Sequence, residues 1–219
     1  MLAVLVGLTV HTLTVAEETT GLVPRSPAVL QLLEEKLPTN PWDREKLQAQ
    51  LDGYLLTDGI TFNLEELPKN LQRVGQRALK VWIDALGDSP VVSEPGPKVG
   101  KIDIVFGSSP EMGKGHQAEL RSTRTFRWGS GPSYTYTGTL MIRPEIGGRK
   151  LTEDELVQVL AHELGHALGL DDRDSGLMGP MREGRPVCKP DAAEIKTLLA
   201  LRAALQERRR LISSSLRVR

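Results

Sequence analysis

Two histidines and several acidic residues stand in the run His162-Glu163-Leu164-Gly165-His166-Ala167-Leu168-Gly169-Leu170-Asp171-Asp172 at spacings that suit a metal ion. Side chains four residues apart lie one above the other on a helix face, so the imidazoles of His162 and His166 can reach one cation. Glu163, beside them, can touch a water held on that cation and take its proton. Glycine adopts left-handed backbone geometry without steric cost, so Gly169 can break the helix. The chain then brings Asp172 back towards the metal, with Asp171 one residue early for that role. Three protein ligands and an open fourth position describe a catalytic zinc site rather than a structural one. Met178 follows within Gly176-Leu177-Met178-Gly179-Pro180.

The elements that must carry these groups can be read from the same sequence. Thr152-Glu-Asp-Glu155 is a capping box, and Leu151 with Leu156 suits a hydrophobic staple. A helix starting near Thr152 makes about three turns before His162, with Leu156, Leu160, Leu164 and Ala167 on its buried side. Upstream, Ile60–Leu64 and Lys101–Phe106 alternate as strands. Leu71, Val74, Ala78, Val81, Trp82 and Ala85 repeat at helical spacing. Segments 121–128 and 133–143 read as strands joined by a hairpin at Gly129-Ser-Gly-Pro132, and 87–100 and 107–118 as Gly/Pro-rich loops. Downstream, Asp191 is an N-cap candidate for a last helix bearing Ile195, Leu198, Leu199, Arg202 and Leu205. Two short helical patterns precede the first strand, one with Val29, Leu30, Leu32 and Leu33, the other with Leu47, Leu51 and Leu55. Pro38-Thr-Asn-Pro41 separates them.

His162 to Asp172 followed by Leu177-Met178-Gly179-Pro180 resembles the metzincin metalloprotease pattern with its Met-turn, and within that group is most similar to the matrixins. The third-ligand position holds Asp172 where matrixins have His, as in the snapalysin-like branch. The ligand-to-Met interval is also about two residues shorter than in matrixins. Strand, long helix ending in Val81-Trp82 and then Ile102-Asp-Ile104 are similar to the first half of a matrixin domain. The likeness covers residues 59–200, with motif-grade identity in 162–180 alone.

This resemblance implies an α+β metzincin-type catalytic domain with a mixed twisted sheet, an active-site helix, a Met-turn and a C-terminal helix. It implies a zinc-dependent endopeptidase acting on protein or peptide substrates. In that scheme His162, His166 and Asp172 hold Zn2+, Glu163 is the general base, and Met178 floors the site without ligating. A strand near 121–128 would pair with extended substrate. The implied organisation is a signal peptide at 1–16, a helical extension or short prosegment at 17–58, a catalytic domain at 59–212 and a basic tail at 213–219. The matrixin prosegment cysteine has no counterpart here.

Two rival readings use the same residues. One is a catalytically inactive zinc-binding module, which would not need Glu163. The other is a thermolysin-like peptidase with Glu183 or Glu194 as third ligand, against which the offsets of Gly169 and Asp172 weigh. A calcium ion is compatible with the chain, but nothing in the sequence supports one. His116, alone in a glycine-rich loop, reads as a surface residue.

The chain has 219 residues, with 28 Lys and Arg against 28 Asp and Glu, so it offers no electrostatic case for nucleic acid. One cysteine, Cys188, excludes an internal disulfide framework. It follows the catalytic motif instead of preceding it, which speaks against an inhibitory thiolate. Residues 2–16 are mostly apolar and end at Thr14-x-Ala16, which predicts export and a secreted or extracytoplasmic protein, although no Lys or Arg precedes Arg25. The run is too short to span a bilayer comfortably.

Overall fold

The alternating and helical-period segments fold into a mixed sheet covered by helices. A computed structural model describes residues 26–55, 60–64, 68–87, 100–106, 117–127 and 133–216. The expected signal segment, His116 and the hairpin turn at 129–132 lie outside these residues. In chain order the elements are α1 (Pro27–Glu34), α2 (Pro41–Leu55), β1 (Ile60–Asn63), α3 (Lys69–Leu86), β2 (Gly100–Phe106), β3 (Ala118–Arg127) and β4 (Ser133–Ile142). The short pair β5 (Glu145–Ile146) and β6 (Arg149–Lys150) follows, then α4 (Glu153–Ala167) and α5 (Ala192–Leu216).

The sheet order is β1-β2-β4-β3. β1 runs parallel to β2, and β2 parallel to β4, with Lys101 opposite Thr137. β3 pairs antiparallel with β4, Ala118 facing Ile142 and Arg127 facing Ser133, so β3 is an edge strand. It begins earlier than the glycines of 107–118 suggest. The ladder continues to Ala118, and Arg143 N–H donates to the Gln117 carbonyl at 2.9 Å just beyond it. α5 extends through Leu216, into the segment expected as a tail.

Two apolar clusters form the interior. The first joins Val74, Ala78, Leu79 and Trp82 of α3 and Ala118, Leu140 and Ile142 of the sheet to α4 and to Leu177, Met178 and Leu198. The second joins Val29 and Leu32 of α1 and Leu47, Leu51, Tyr54 and Leu55 of α2 to Leu201, Leu205 and Ile212 of α5. Leu199, expected on the buried stripe of α5, is 47% exposed. The buried row runs through Glu194, Leu198, Leu201, Leu205 and Ile212, and a neighbouring residue at 199 falls off that row.

α4 is buried on nearly every side, as Leu156, Val157, Val159, Leu160, Ala161 and Leu164 show. Its capping box forms as the sequence predicts: Thr152 Oγ1 accepts from Glu155 N–H at 3.2 Å, and Glu155 Oε2 accepts from Thr152 N–H at 2.8 Å. The Glu155 side chain is fully buried. Arg149 approaches it with two nitrogens at 2.9 Å, and Gly184 N–H donates to it at 3.0 Å. Trp82 Nε1 donates to the Ala161 carbonyl at 2.7 Å and locks α3 to α4.

The Arg149 guanidinium, helped by the Gly184 and Thr152 donors, holds the Glu155 carboxyl well below its ordinary 4.5 in spite of burial. A depressed folded-state pKa contributes stability that is present above the unfolded value and lost as pH falls through the folded one. Glu155→Gln should therefore be less stable than the parent at pH 7 by about 1–3 kcal/mol. That gap should narrow in urea melts below pH 4.5, where the parent's carboxylate begins to lose its advantage.

Candidate metal centre

α4 ends in a Schellman turn: Leu170 N–H donates to the Gly165 carbonyl and Gly169 N–H to the His166 carbonyl, both at 3.0 Å. Gly169 takes φ +99°, a left-handed geometry that side-chain-bearing residues rarely adopt. The turn has a direct effect on the ligand set. It aims the Leu170 carbonyl at His166, whose Nδ1 donates to it at 3.0 Å. His162 Nδ1 donates likewise to the Leu177 carbonyl at 3.1 Å. A carbonyl can only accept, so each Nδ1 carries a proton, and the neutral form of each ring turns an Nε2 lone pair to the other side.

Those lone pairs converge. His162 Nε2 and His166 Nε2 are 3.1 Å apart, and Asp172 Oδ1 lies 3.1 Å from the first and 3.4 Å from the second. A tetrahedral zinc with bonds of ~2.0–2.1 Å separates its ligand atoms by ~3.3–3.4 Å. The triangle has that size, and its three acceptors repel one another unless a proton or a metal ion lies between them. Among the described residues this is the one group of three His, Cys, Asp or Glu side chains placed to hold a metal ion. Asp172 is 49% exposed, so the triangle faces solvent. In the metal-free chain burial opposes protonation of His166, but the Asp172 carboxylate, Glu163 and the Leu170 carbonyl push it up to about 9. The two imidazoles hold Asp172 well below the usual carboxylate range.

Glu163 extends from the same turn of α4 towards the sheet edge. Its Oε2 accepts the Leu120 N–H of β3 at 3.1 Å, which ties the carboxylate to the edge strand. Main-chain groups alternate sides along an antiparallel strand. The outward Leu120 N–H therefore places the N–H and C=O of Ser122 on the same outer edge of β3.

The turn at Leu177-Met178 packs beneath the helix. Leu177 and Met178 are fully buried. A Cβ added at Gly165 would run into Met178 Sδ and lie 3.0 Å from Trp82 Cζ2, so the buried Met178 side chain would have to shift to admit any larger residue there. Met178 N–H donates to Glu194 Oε1 at 2.8 Å, and Asp191 N–H to Glu194 Oε2 at 2.7 Å. Glu194 N–H returns a bond to Asp191 Oδ1 at 2.9 Å, completing a capping box on α5. Arg173, next to the third ligand, bonds Asp191 Oδ2 at 2.7 Å through Nη1 and the Met178 carbonyl at 3.0 Å through its main chain.

Each expected site residue has a definite place. His162, His166 and Asp172 come together, Glu163 adjoins them, and Met178 lies under Gly165. Glu194, the alternative third ligand, accepts the Met178 N–H instead, and Glu183 pairs with Arg149 Nε at 2.8 Å. Asp171 accepts the Asp172 N–H at 2.9 Å. Cys188 Sγ donates to the Asp154 carbonyl at 3.4 Å, at the far end of α4, and burial pushes its thiol up. Sequence reasoning missed the support roles of Glu194, Arg173 and Leu120. The Asp191-x-x-Glu194 spacing was a capping-box signal for the first, whereas a main-chain donor such as Leu120 N–H leaves no mark in residue types.

The chain matches no known protein family and no curated protein.

Two outcomes follow from this geometry. Asp172→Ala should weaken zinc binding by about a hundredfold or more, whereas Asp171→Ala and Asp174→Ala should not, as competition against a chromogenic chelator would show. Below pH 9 the metal must also displace the His166 proton. Zinc affinity should therefore rise about tenfold per pH unit across the neutral range, with close to one proton released per ion in calorimetry in two buffers.

Proposed function

We propose that the chain is a zinc-dependent endopeptidase of the metzincin type, matrixin-like, with Asp172 as third metal ligand. The observation that carries this reading is the triangle of His162 Nε2, His166 Nε2 and Asp172 Oδ1, of tetrahedral size, with Glu163 beside it. The α+β architecture with its mixed sheet is compatible with such a domain.

When bound, zinc supplies Lewis-acid polarisation of a carbonyl and lowers the pKa of water towards ~7. The protein's residues perform the remaining tasks. Glu163, one residue from His162, takes the proton of the attacking water and returns it to the leaving amine. Leu120 N–H holds that carboxylate in place at 3.1 Å. The outer edge of β3 offers main-chain donors and acceptors to an extended peptide, which suits a protein substrate bound by strand addition. The Leu170 and Leu177 carbonyls keep both imidazoles in the ligating tautomer. No described helix is long and apolar enough to cross a membrane. The signal-like segment at 1–16 supports export.

Glu163→Ala should retain stoichiometric zinc and its melting temperature while losing peptide hydrolysis by about 10²–10⁴-fold, the range for removal of a general base. Turnover equal to the parent protein on a quenched peptide library would contradict the assignment.

A further inference from the structure

Residues 26–55 precede the motif by more than a hundred positions, yet their first residue touches the turn that delivers the third ligand. Ser26 N–H donates to the Gly169 carbonyl at 3.0 Å. Val29 is fully buried, and its Cγ2 lies 3.2 Å from the point where a Cβ at Gly169 would sit, with Leu201 Cδ2 at 2.9 Å. The turn is thus closed from behind by α1 on one side and α5 on the other. Gly169 is buried and its N–H is already committed to the His166 carbonyl, so without Ser26 its own carbonyl would lose its donor.

α1 is in turn held firmly. Leu47, Leu51, Tyr54 and Leu55 of α2 bury against Leu201, Leu205 and Ile212 of α5 in the second apolar cluster. Arg202 Nη1 donates to the Leu55 carbonyl at 3.2 Å, and Arg209 pairs with Asp52. None of these contacts blocks the ligand triangle, where Asp172 remains about half exposed. Removing the segment would uncover Leu201, Leu205 and Ile212 together.

We infer that α1 and α2 are a permanent clamp that positions the third metal ligand, with Ser26 and Val29 as the positioning residues, and not a removable inhibitory segment. The inference rests on the metal-site reading above. Asp172 is three residues beyond Gly169 and reaches the site from a loop, so its placement depends on how rigidly that turn is held. The contact from α1 removes freedom that the metal would otherwise have to remove on binding. Metal affinity is therefore partly set by a segment that supplies no ligand.

The full chain allows a direct test, by zinc titration against a chromogenic chelator together with thermal melts of the metal-free protein. Ser26 sits at φ −50° and ψ 128°, a conformation proline can adopt, and Ser26→Pro both deletes the N–H and drives the ring Cδ against the Gly169 carbonyl, so it breaks this contact outright. Ser26→Pro should bind zinc at least roughly fivefold more weakly, the scale of one lost hydrogen bond, because the displaced turn adds to that loss. Val29→Ala, which opens a void against the turn, should weaken binding roughly tenfold. Leu47→Ala is the control, lying in the same cluster but away from Gly169. It should lower the melting temperature yet bind zinc within about twofold of the parent, because affinity is unaffected while the fold stays populated. Parental affinity in both Ser26→Pro and Val29→Ala would overturn the clamp, as would an equal loss in Leu47→Ala. Failure of the parent protein to bind zinc would overturn the metal-site reading and the clamp with it.

Discussion

The site depends on two carbonyl groups. Leu170 and Leu177 each accept an Nδ1 proton, and that leaves two Nε2 lone pairs and a carboxylate oxygen within 3.4 Å of one another. Without a cation or a shared proton such an arrangement is unfavourable, because like-signed acceptors face one another at short range. It becomes favourable when one cation satisfies all three. The surrounding fold can be understood as the apparatus that keeps those carbonyls and Asp172 from relaxing apart.

Much of that apparatus converges on α5. Its first turn holds the Leu177-Met178 turn through Glu194, and its middle closes the Gly169 turn through Leu201. The two carbonyls thus belong to loops braced by the same helix, although Leu170 and Leu177 lie on opposite sides of the third ligand in sequence. A buried carboxylate such as Glu194 is costly unless its oxygens are satisfied. Here two main-chain donors and the nearby Arg173 guanidinium serve that purpose. Arg173 also shows why the short interval between Asp172 and Met178 is workable, since its main-chain N–H bridges directly to the Met178 carbonyl.

The sequence was most legible where a local rule has a single structural answer. The Thr152 capping box, the one-turn spacing of His162 and His166, and the glycine break at 169 each appear in the expected place. The helices and strands around them were legible from their periodicity. Long-range consequences were not. Nothing local to Ser26 or Val29 signals a partner at Gly169, because that contact depends on how α1 packs on α5. Glu194 reads as a rival ligand in the sequence because an acidic residue near a metal motif and an N3 capping residue look alike without their hydrogen-bond partners. Leu199 failed for a related reason: several rows of α5 carry leucine, and tertiary packing selects which row is buried.

The central claim is a zinc ion held by two imidazoles and one carboxylate. Zinc K-edge X-ray absorption on the stoichiometrically loaded chain measures this most directly. The account predicts a first shell of nitrogen and oxygen only, at ~2.0–2.1 Å, with outer-shell scattering from two imidazole rings. A sulfur scatterer at ~2.3 Å, the thiolate distance that Cys188 as the single cysteine would give, or the signature of a single imidazole, would contradict it.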